Sequence, residues 1–241
     1  MLLKILTYNV HGLPWCGADI KRIANWALTE SGADVVCIQE LFSIKQRQIF
    51  EKEASFHRWT SFFPSDHCWL GSCLRGLECG SGLCIFTSPK IKVHKIPIFE
   101  PFIRSAGVDS LVKKGFFKIH CEIDKEHFTL LNTHLQSDMT DMPGIRINYP
   151  DVRETQQFQL FTSAIKEQRV LVIGDMNMQT FKWFDRADPN HHITFPETGE
   201  HLDHLLLLRK EANRIKHLST EYFDDAPWSD HIPVLFSVRI E

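Results

Sequence analysis

The sequence predicts an α/β (α+β) fold: a four-layer sandwich of two packed mixed β-sheets flanked by helices. Three observations predict it. Short β-like apolar runs outnumber helical patterns, some neighbouring runs are joined by tight turns, and the opening of the chain alternates strand, helix and strand. The tight turns argue against a plain doubly wound parallel sheet, because parallel neighbours need a crossover of a dozen residues or more.

Taken in order, Leu2 to Val10 reads as the first strand. Asp19 to Glu30 reads as a helix, since Ile20, Ile23, Ala24, Ala27 and Leu28 recur on one face, and Ser31-Gly32 ends it. Asp34 to Ile38 is a buried strand and Ile44 to Ala54 a second helix. Gly82 to Phe86, Phe116 to Ile123 and His127 to Leu131 follow as strands, the last two joined by the turn Asp124-Lys125-Glu126. Pro150-Asp151 opens a helix that runs to about Glu167, with Asp151 and Glu154 spaced as a capping box. Arg169 to Ile173, His204 to Leu208 and Ile232 to Ile240 complete the strands.

The 241 residues are 43% hydrophobic and 24% charged, which excludes disorder, collagen and coiled coil and fits one domain over residues 1–241. Lys and Arg total 27 against 30 Asp and Glu, a net charge of −3. Bulk positive charge therefore does not hold this chain on nucleic acid, although local contact stays open. No apolar run approaches the roughly 20 residues that span a bilayer. The N-terminus is too short and too quickly polar for a classical signal peptide. Of seven cysteines, Cys68, Cys73, Cys79 and Cys84 lie close together without C-x-x-C pairing, which reads as reduced thiols rather than a zinc site. The expectation is a cytoplasmic monomer with no transmembrane segment and at most peripheral membrane contact.

The informative feature is where polar residues fall. Asn9 follows the first strand, Gln39-Glu40 the second, His134 the run Leu130-Leu131-Asn132-Thr133, and Asp175 and Asn177 the run Val170 to Gly174. Asp203 opens a strand, and Asp230-His231 precedes the last one. Side chains at strand ends converge from different strands. Acid, amide and imidazole groups with no nucleophilic Ser or Cys among them suggest a hard-cation site. Each piece has a plainer reading: Asn9-Val10-His11-Gly12 as a turn, Glu40 or Asp203 as a surface charge, His134 as a bonded core histidine, Ser229-Asp230-His231 as a cap. Gly174-Asp175-Met176-Asn177 is sharper, because a chance G-D-x-N in a chain this long is on the order of 0.03. The joint placement carries the reading, since none of the plainer explanations requires all six at strand ends.

These stretches resemble the endonuclease/exonuclease/phosphatase superfamily, which includes deoxyribonuclease I, apurinic endonucleases, inositol polyphosphate phosphatases and neutral sphingomyelinases. The matching stretches run from Thr7-Tyr8-Asn9-Val10-His11-Gly12 through Ile38-Gln39-Glu40, Asn132-Thr133-His134-Leu135-Gln136, Gly174-Asp175-Met176-Asn177 and Leu202-Asp203-His204-Leu205 to Ser229-Asp230-His231. Within the superfamily the chain looks most like the neutral sphingomyelinase branch, through Gly80-Ser81-Gly82-Leu83, Lys114-Gly115-Phe116, Arg153 and Gln156. The resemblance implies a phosphodiesterase using Mg²⁺, with Mn²⁺ as a substitute, held by Asn9, Glu40 and Asp230. It implies catalytic roles for His134, Asp175, Asn177, Asp203, Asp230 and His231, and a substrate-binding role for Lys114. Either Asp175 or His231 serves as the base, and water attacks in line.

A lipid headgroup is favoured over nucleic acid as substrate, because the only adjacent basic pair near a motif is Lys113-Lys114. The alternatives are a DNA-directed nuclease or tyrosyl-DNA phosphodiesterase of the same fold, and a non-catalytic binding protein that retains it. Trp59, Phe62, Phe63, Pro64 and Cys68-Trp69-Leu70 read either as a membrane-contacting hairpin or, more simply, as an inward-packing strand pair. The stretch Ser137 to Tyr149, with Met139, Met142, Pro143, Ile145 and Ile147, reads either as a lid over a choline or glycerol headgroup or as a surface loop.

Overall fold

The computed structural model describes residues 1–13, 16–65, 80–142, 145–211, 213–226 and 229–241, with the side chains of 139–146 outside that description. Cys68, Cys73, Cys79, the Cys68-Trp69-Leu70 run and the apolar side chains of Met139, Met142, Pro143 and Ile145 fall outside it.

Along the chain, β1 (Leu2–Asn9), α1 (Ile20–Thr29), β2 (Val35–Gln39) and α2 (Ile44–Phe56) lead to β3 (Thr60–Phe62), β4 (Cys84–Thr87), β5 (Lys92–Val93) and β6 (Ile98–Pro101). Then come β7 (Gly115–Ile123), β8 (Glu126–His134), β9 (Met139–Met142), β10 (Ile145–Ile147) and α3 (Pro150–Ala164). The chain closes with β11 (Val170–Asp175), β12 (Phe184–Arg186), β13 (Asp203–Leu208), β14 (Ile215–Tyr222) and β15 (Val234–Ile240). Among the described residues, one sheet has the order β14-β15-β1-β2-β4-β3 and the other β12-β13-β11-β8-β7-β5, with β6 also on β7. Each is mixed: β1 and β2 pair in parallel, as do β8 and β11, and the remaining pairs are antiparallel.

Alternation along the central strands creates the four layers. Leu3 and Ile5 of β1 face Leu171 and Ile173 of β11 in the core between the sheets. Leu6 and Tyr8 point the other way, onto Ile23, Ala24 and Ala27 of α1 and Phe50 of α2. Val170 and Val172 likewise point outward onto Leu160 and Ala164 of α3. Strands covered on both faces must be apolar at nearly every position, which is why they read as continuous runs.

Differences from the sequence reading have local causes. β8 runs on past Leu131 to His134, because the polar Asn132 and Thr133 are satisfied internally. The Asn132 amide donates to the carbonyls of Ile38 and Cys84, both at 2.9 Å, and Thr133 Oγ1 donates to the Gly115 carbonyl at 3.0 Å. The hairpin before β8 is tighter than expected: Asp124 and Lys125 both adopt positive φ (52° and 68°), the two-residue geometry that follows strand twist. Asp151 is no cap. Helix α3 starts at Pro150, Asp151 lies in its first turn, and Glu154 pairs instead with Lys182 at 2.8 Å. β14 went unanticipated because it is an edge strand, Ile-Lys-His-Leu-Ser-Thr-Glu-Tyr, with few buried side chains. β3, β5, β6 and β12 are too short to carry a period.

Phe62 and Phe63 pack inward, Phe63 edge-on to Phe86 at 5.7 Å, and Trp59 lies against the α1–α2 core. These three residues therefore pack against the core, while Cys68-Trp69-Leu70, the rest of that stretch, lies outside the described residues. Ser137-Asp138 leads into a two-stranded hairpin of β9 and β10.

Gly174 is required by the fold. Its φ is 141°, and a Cβ there would lie 1.9 Å from the Thr133 carbonyl oxygen of the neighbouring β8. Gly174→Ala is expected to destabilise the protein by roughly 3 kcal/mol or more, read as a shifted urea midpoint; an unchanged midpoint would refute this account.

Candidate active site

Register brings the strand-end residues together. The parallel pair β1–β2 sets Asn9 beside Gln39, with Glu40 next in the chain. The parallel pair β8–β11 sets His134 beside Asp175, and the antiparallel pair β11–β13 sets Asp203 beside Asp175. A buried polar bolt joins the sheets just beneath: Gln39 Nε2 donates to Asn132 Oδ1 at 2.8 Å. Across the gap, Asn9 Nδ2 donates to Glu40 Oε1 at 3.1 Å and to Asp175 Oδ2 at 3.0 Å.

Three residues of the site sit in the left-handed backbone region: His11 (φ 45°), Glu40 (φ 61°) and Asn177 (φ 47°). For a glutamate this costs about 1–3 kcal/mol, and such strain concentrates where side-chain direction matters. Glu40 leaves β2 in this conformation and turns its carboxylate onto Asn9. Asn177 is held by its backbone N–H on Asp175 Oδ1 (2.9 Å) and by its amide on the Leu135 carbonyl (3.1 Å).

His231 Nδ1–H donates to Asp203 Oδ2 at 2.8 Å, which directs Nε2 toward Asp175 Oδ2 at 3.6 Å. Thr194 Oγ1 accepts from the backbone N–H of Leu202 (2.9 Å) and Asp203 (3.1 Å), and the Phe195 ring lies 4.8 Å from that of His231. His134 Nε2 stands 3.4 Å from Asp175 Oδ2 and 3.9 Å from Glu40 Oε1. Asp230 pairs with His11 Nδ1 at 2.7 Å, while Ser229 Oγ donates to the Asn9 carbonyl at 2.7 Å and ties that turn to β1.

Glu40, His134, Asp175, Asn177, Asp230 and His231 line one cavity of about 220 Å³. Asp203 stands behind His231, and Asn9 lies beneath the two carboxylates it bridges. Lys114 is not on the wall. Its ammonium is buried against Asp109 (2.9 Å) and donates to the Leu135 carbonyl (2.7 Å). Arg153 and Gln156 are structural props: Gln156 accepts from the Gln136 backbone N–H at 2.8 Å, and Arg153 holds Asp138, Asn148 and the Gln136 carbonyl.

Sequence reasoning missed part of the wall. Phe195, Glu197, Thr198 and Glu200 line the cavity, as does Asp138 from the Ser137 to Tyr149 stretch singled out above, and His11 braces Asp230. His11 was visible as part of Asn9-Val10-His11-Gly12. The 194–200 turn carried only turn signals, and nothing local marked it as a wall.

The charges are crowded. Burial pushes Asp175 up to about 6, with Asp203 adding to the push, and burial also raises Glu40. Burial pulls His231 down, but Asp203, Asp175 and Asp230 outweigh it and raise the imidazole to about 10. His134 goes the other way: burial, then Lys114 and His231, hold it neutral. At neutral pH the site thus holds an imidazolium and a neutral imidazole among several carboxylates.

Residues 6–231 match the Endonuclease/Exonuclease/phosphatase family, and the chain belongs to it. Members of that family are hydrolytic enzymes acting on phosphate esters. Among solved structures the chain is similar to sphingomyelinase C from Streptomyces griseocarneus, at 19% identity and TM-score 0.70, covering 98% of this chain and 99% of that one. It is similar to D. rerio TDP2 complexed with single-strand DNA product, at 17% identity and TM-score 0.71, covering 99% of each. It is also similar to beta toxin from Staphylococcus aureus with bound magnesium ions, at 17% identity and TM-score 0.71, covering 98% of this chain and 99% of that one. At these identities the likeness establishes the shared fold. A sequence search of curated proteins finds no significant match.

Proposed function

We propose that the chain is a Mg²⁺-dependent phosphodiesterase that cleaves its substrate by in-line water attack, and that the substrate is a phospholipid with a cationic headgroup, as in a sphingomyelinase of the phospholipase C type. The observation that carries the reaction is the convergence of Glu40, His134, Asp175 and His231 on one cavity. The observation that carries the substrate is its charge. Beyond the groups given to the metal and the reaction, Glu197 and Glu200 line it together with Asp138, which Arg153 neutralises, and no Lys or Arg lines it among the described residues. Glu197 and Glu200 disfavour a polyanion at that end of the cavity and would receive the cation of a phosphodiester that bears an ammonium.

The donor set fits a hard dication. Glu40 and Asp175 are carboxylates raised by burial, with no lysine or arginine on the cavity wall to neutralise them. Glu40 and Asp230 would hold Mg²⁺, or Mn²⁺ in its place. The ion, when bound, neutralises charge on the phosphate and on the departing oxygen. Asn9 turns its amide N–H groups to Glu40 and Asp175 and its oxygen to the His11 N–H, so here it braces the ligand Glu40.

Asp175 accepts the proton of the attacking water, because it is ionised at neutral pH and has the higher affinity for a proton that burial confers. His231 binds a phosphate oxygen as the imidazolium, with Asp203 holding its orientation. Asn177 has a second amide N–H for the same phosphate, and neutral His134 offers Nε2 beside Asp175. Lys114 acts through its field on Glu40, His134 and Asp175 rather than by contact with substrate.

Asp203→Asn removes the largest upward influence on His231. The imidazolium is then lost at lower pH, so the alkaline limb of kcat/KM against pH is expected to move down by roughly 1–3 pH units. An unmoved limb would assign that limb to another group.

A DNA-directed reading keeps one point in its favour, the likeness to TDP2 with a DNA product. Incubation with Mg²⁺ and sphingomyelin vesicles, duplex DNA, 5′-tyrosyl single-strand DNA and inositol phosphates separates the readings. Phosphocholine release by wild type and not by Asp175→Asn is the expected result. DNA cleavage alone replaces the lipid reading, and no turnover of any substrate supports a binding protein. No helix among the described residues is long and apolar enough to cross a membrane.

A further inference from the structure

The far end of the second sheet carries a cluster that the reaction does not use. His94, Glu122 and His127 come from three segments and present ligand atoms that all lie within 4.8 Å of one another. His94 Nε2 is 2.9 Å from Glu122 Oε2, and His127 Nε2 is 3.7 Å from the same oxygen. The two imidazole rings are 5.1 Å apart and tilted by 59°, so they approach the carboxylate from different directions.

Strand pairing positions two of the three, and a backbone hydrogen bond the third. Glu122 and His127 are cross-strand partners in β7–β8, one step from the Asp124-Lys125 turn. His94 directly follows β5, and its N–H donates to the His120 carbonyl of β7 at 3.0 Å. Residues 120, 122 and 127 share the outer face, because their neighbours Cys121, Ile123 and Phe128 point into the core between the sheets. Glu122 is only 15% exposed, whereas His127 is 67% exposed, so a solvated face remains open for a further ligand.

We propose that His94, Glu122 and His127 form a second metal site, selective for a borderline cation such as Zn²⁺ over Mg²⁺. Two imidazoles and one carboxylate are the donor chemistry of zinc, and solvent supplies the fourth position. Tetrahedral donors at zinc bond lengths stand about 3.4 Å apart, against 2.9 and 3.7 Å for the two histidine–carboxylate pairs and at most 4.8 Å between any two ligand atoms, so the donors must draw together around the ion. Lys92 competes only for the other carboxylate oxygen, Oε1, at 3.5 Å. The site lies seven residues along β8 from His134, roughly 23 Å at the strand rise, so it is independent of the catalytic ion. Its occupancy staples β5 to the β7–β8 hairpin and stabilises that sheet edge by mass action.

The test is a Zn²⁺ titration by calorimetry on the full chain after EDTA dialysis, in the Glu40→Gln background to weaken the catalytic site. The expected result is loss of one Zn²⁺ equivalent when His94→Ala and His127→Ala are added, together with loss of the Zn²⁺-induced rise in melting temperature. Equal stoichiometry and equal melting shifts with and without these two changes would overturn the proposal. Should the combined variant melt early in EDTA, Glu122→Gln removes the shared ligand with less change in shape and is read the same way.

Discussion

Asp175→Asn is expected to lower kcat/KM for a phosphodiester by about 10³-fold or more while leaving the metal-free protein folded, with a melting temperature within a few degrees of wild type. Asp175 is a buried carboxylate whose pKa is raised to about 6 in the fold. A raised carboxylate pKa means the stabilising contribution is present below the unfolded value and is lost as pH rises through the folded one. At pH 7 the ionised side chain therefore costs stability; the isosteric amide removes that cost together with the proton acceptor, but it also loses an oxygen that accepts from Asn9 or Asn177 and a carboxylate facing the His231 imidazolium, so the stability terms oppose each other. His231→Ala is a poorer probe, because it leaves Asp203 fully buried without its imidazolium, a loss that unfolds as much as it inactivates. Steady-state assays and thermal melts on the same Asp175→Asn preparation decide the matter. Retained activity above a tenth of wild type removes Asp175 from the chemistry, and a large drop in melting temperature makes its role structural.

Glu40→Gln is expected to weaken Mg²⁺ affinity on the order of 100-fold, with activity partly restored by raising Mg²⁺. Glu40 stands at the junction of the sheets in a left-handed conformation, and Lys114 and the Asn9 amide favour its ionised form against the burial that raises it. The substitution removes charge and keeps volume, so the loss should appear as a shifted metal dependence at constant fold. Calorimetric titration with Mg²⁺ and Mn²⁺ gives the affinity directly. An unchanged affinity together with an unchanged metal dependence of rate would place the ion elsewhere in the cavity.

Much of this was legible without coordinates, for identifiable reasons. β1, β2 and β11 are covered on both faces, so they show as apolar runs, and polar residues at their ends stand out. That contrast exposed Asn9, Glu40, Asp175 and Asn177. It failed where a polar side chain is satisfied inside the fold: Asn132 and Thr133 look like the end of a strand but continue it. Lys114 shows the opposite limit. The family resemblance implies a substrate contact for it, yet Asp109 and the Leu135 carbonyl hold its ammonium off the cavity wall. Nor did any local pattern reveal Phe195, Glu197 and Glu200, because a turn becomes a cavity wall only through its packing against His231.

Hydrophobic periodicity and strand-end chemistry determined the layers and the main chemical groups, since both are short-range properties written in neighbouring residues. Tertiary structure alone decided the charge of the cavity, the direction in which Asn9 turns its amide, the displacement of the His231 and Asp175 pKa values, and the meeting of His94 with Glu122 and His127. Each of these depends on the distance between groups remote in sequence, and field, desolvation and hydrogen-bond direction are functions of that distance.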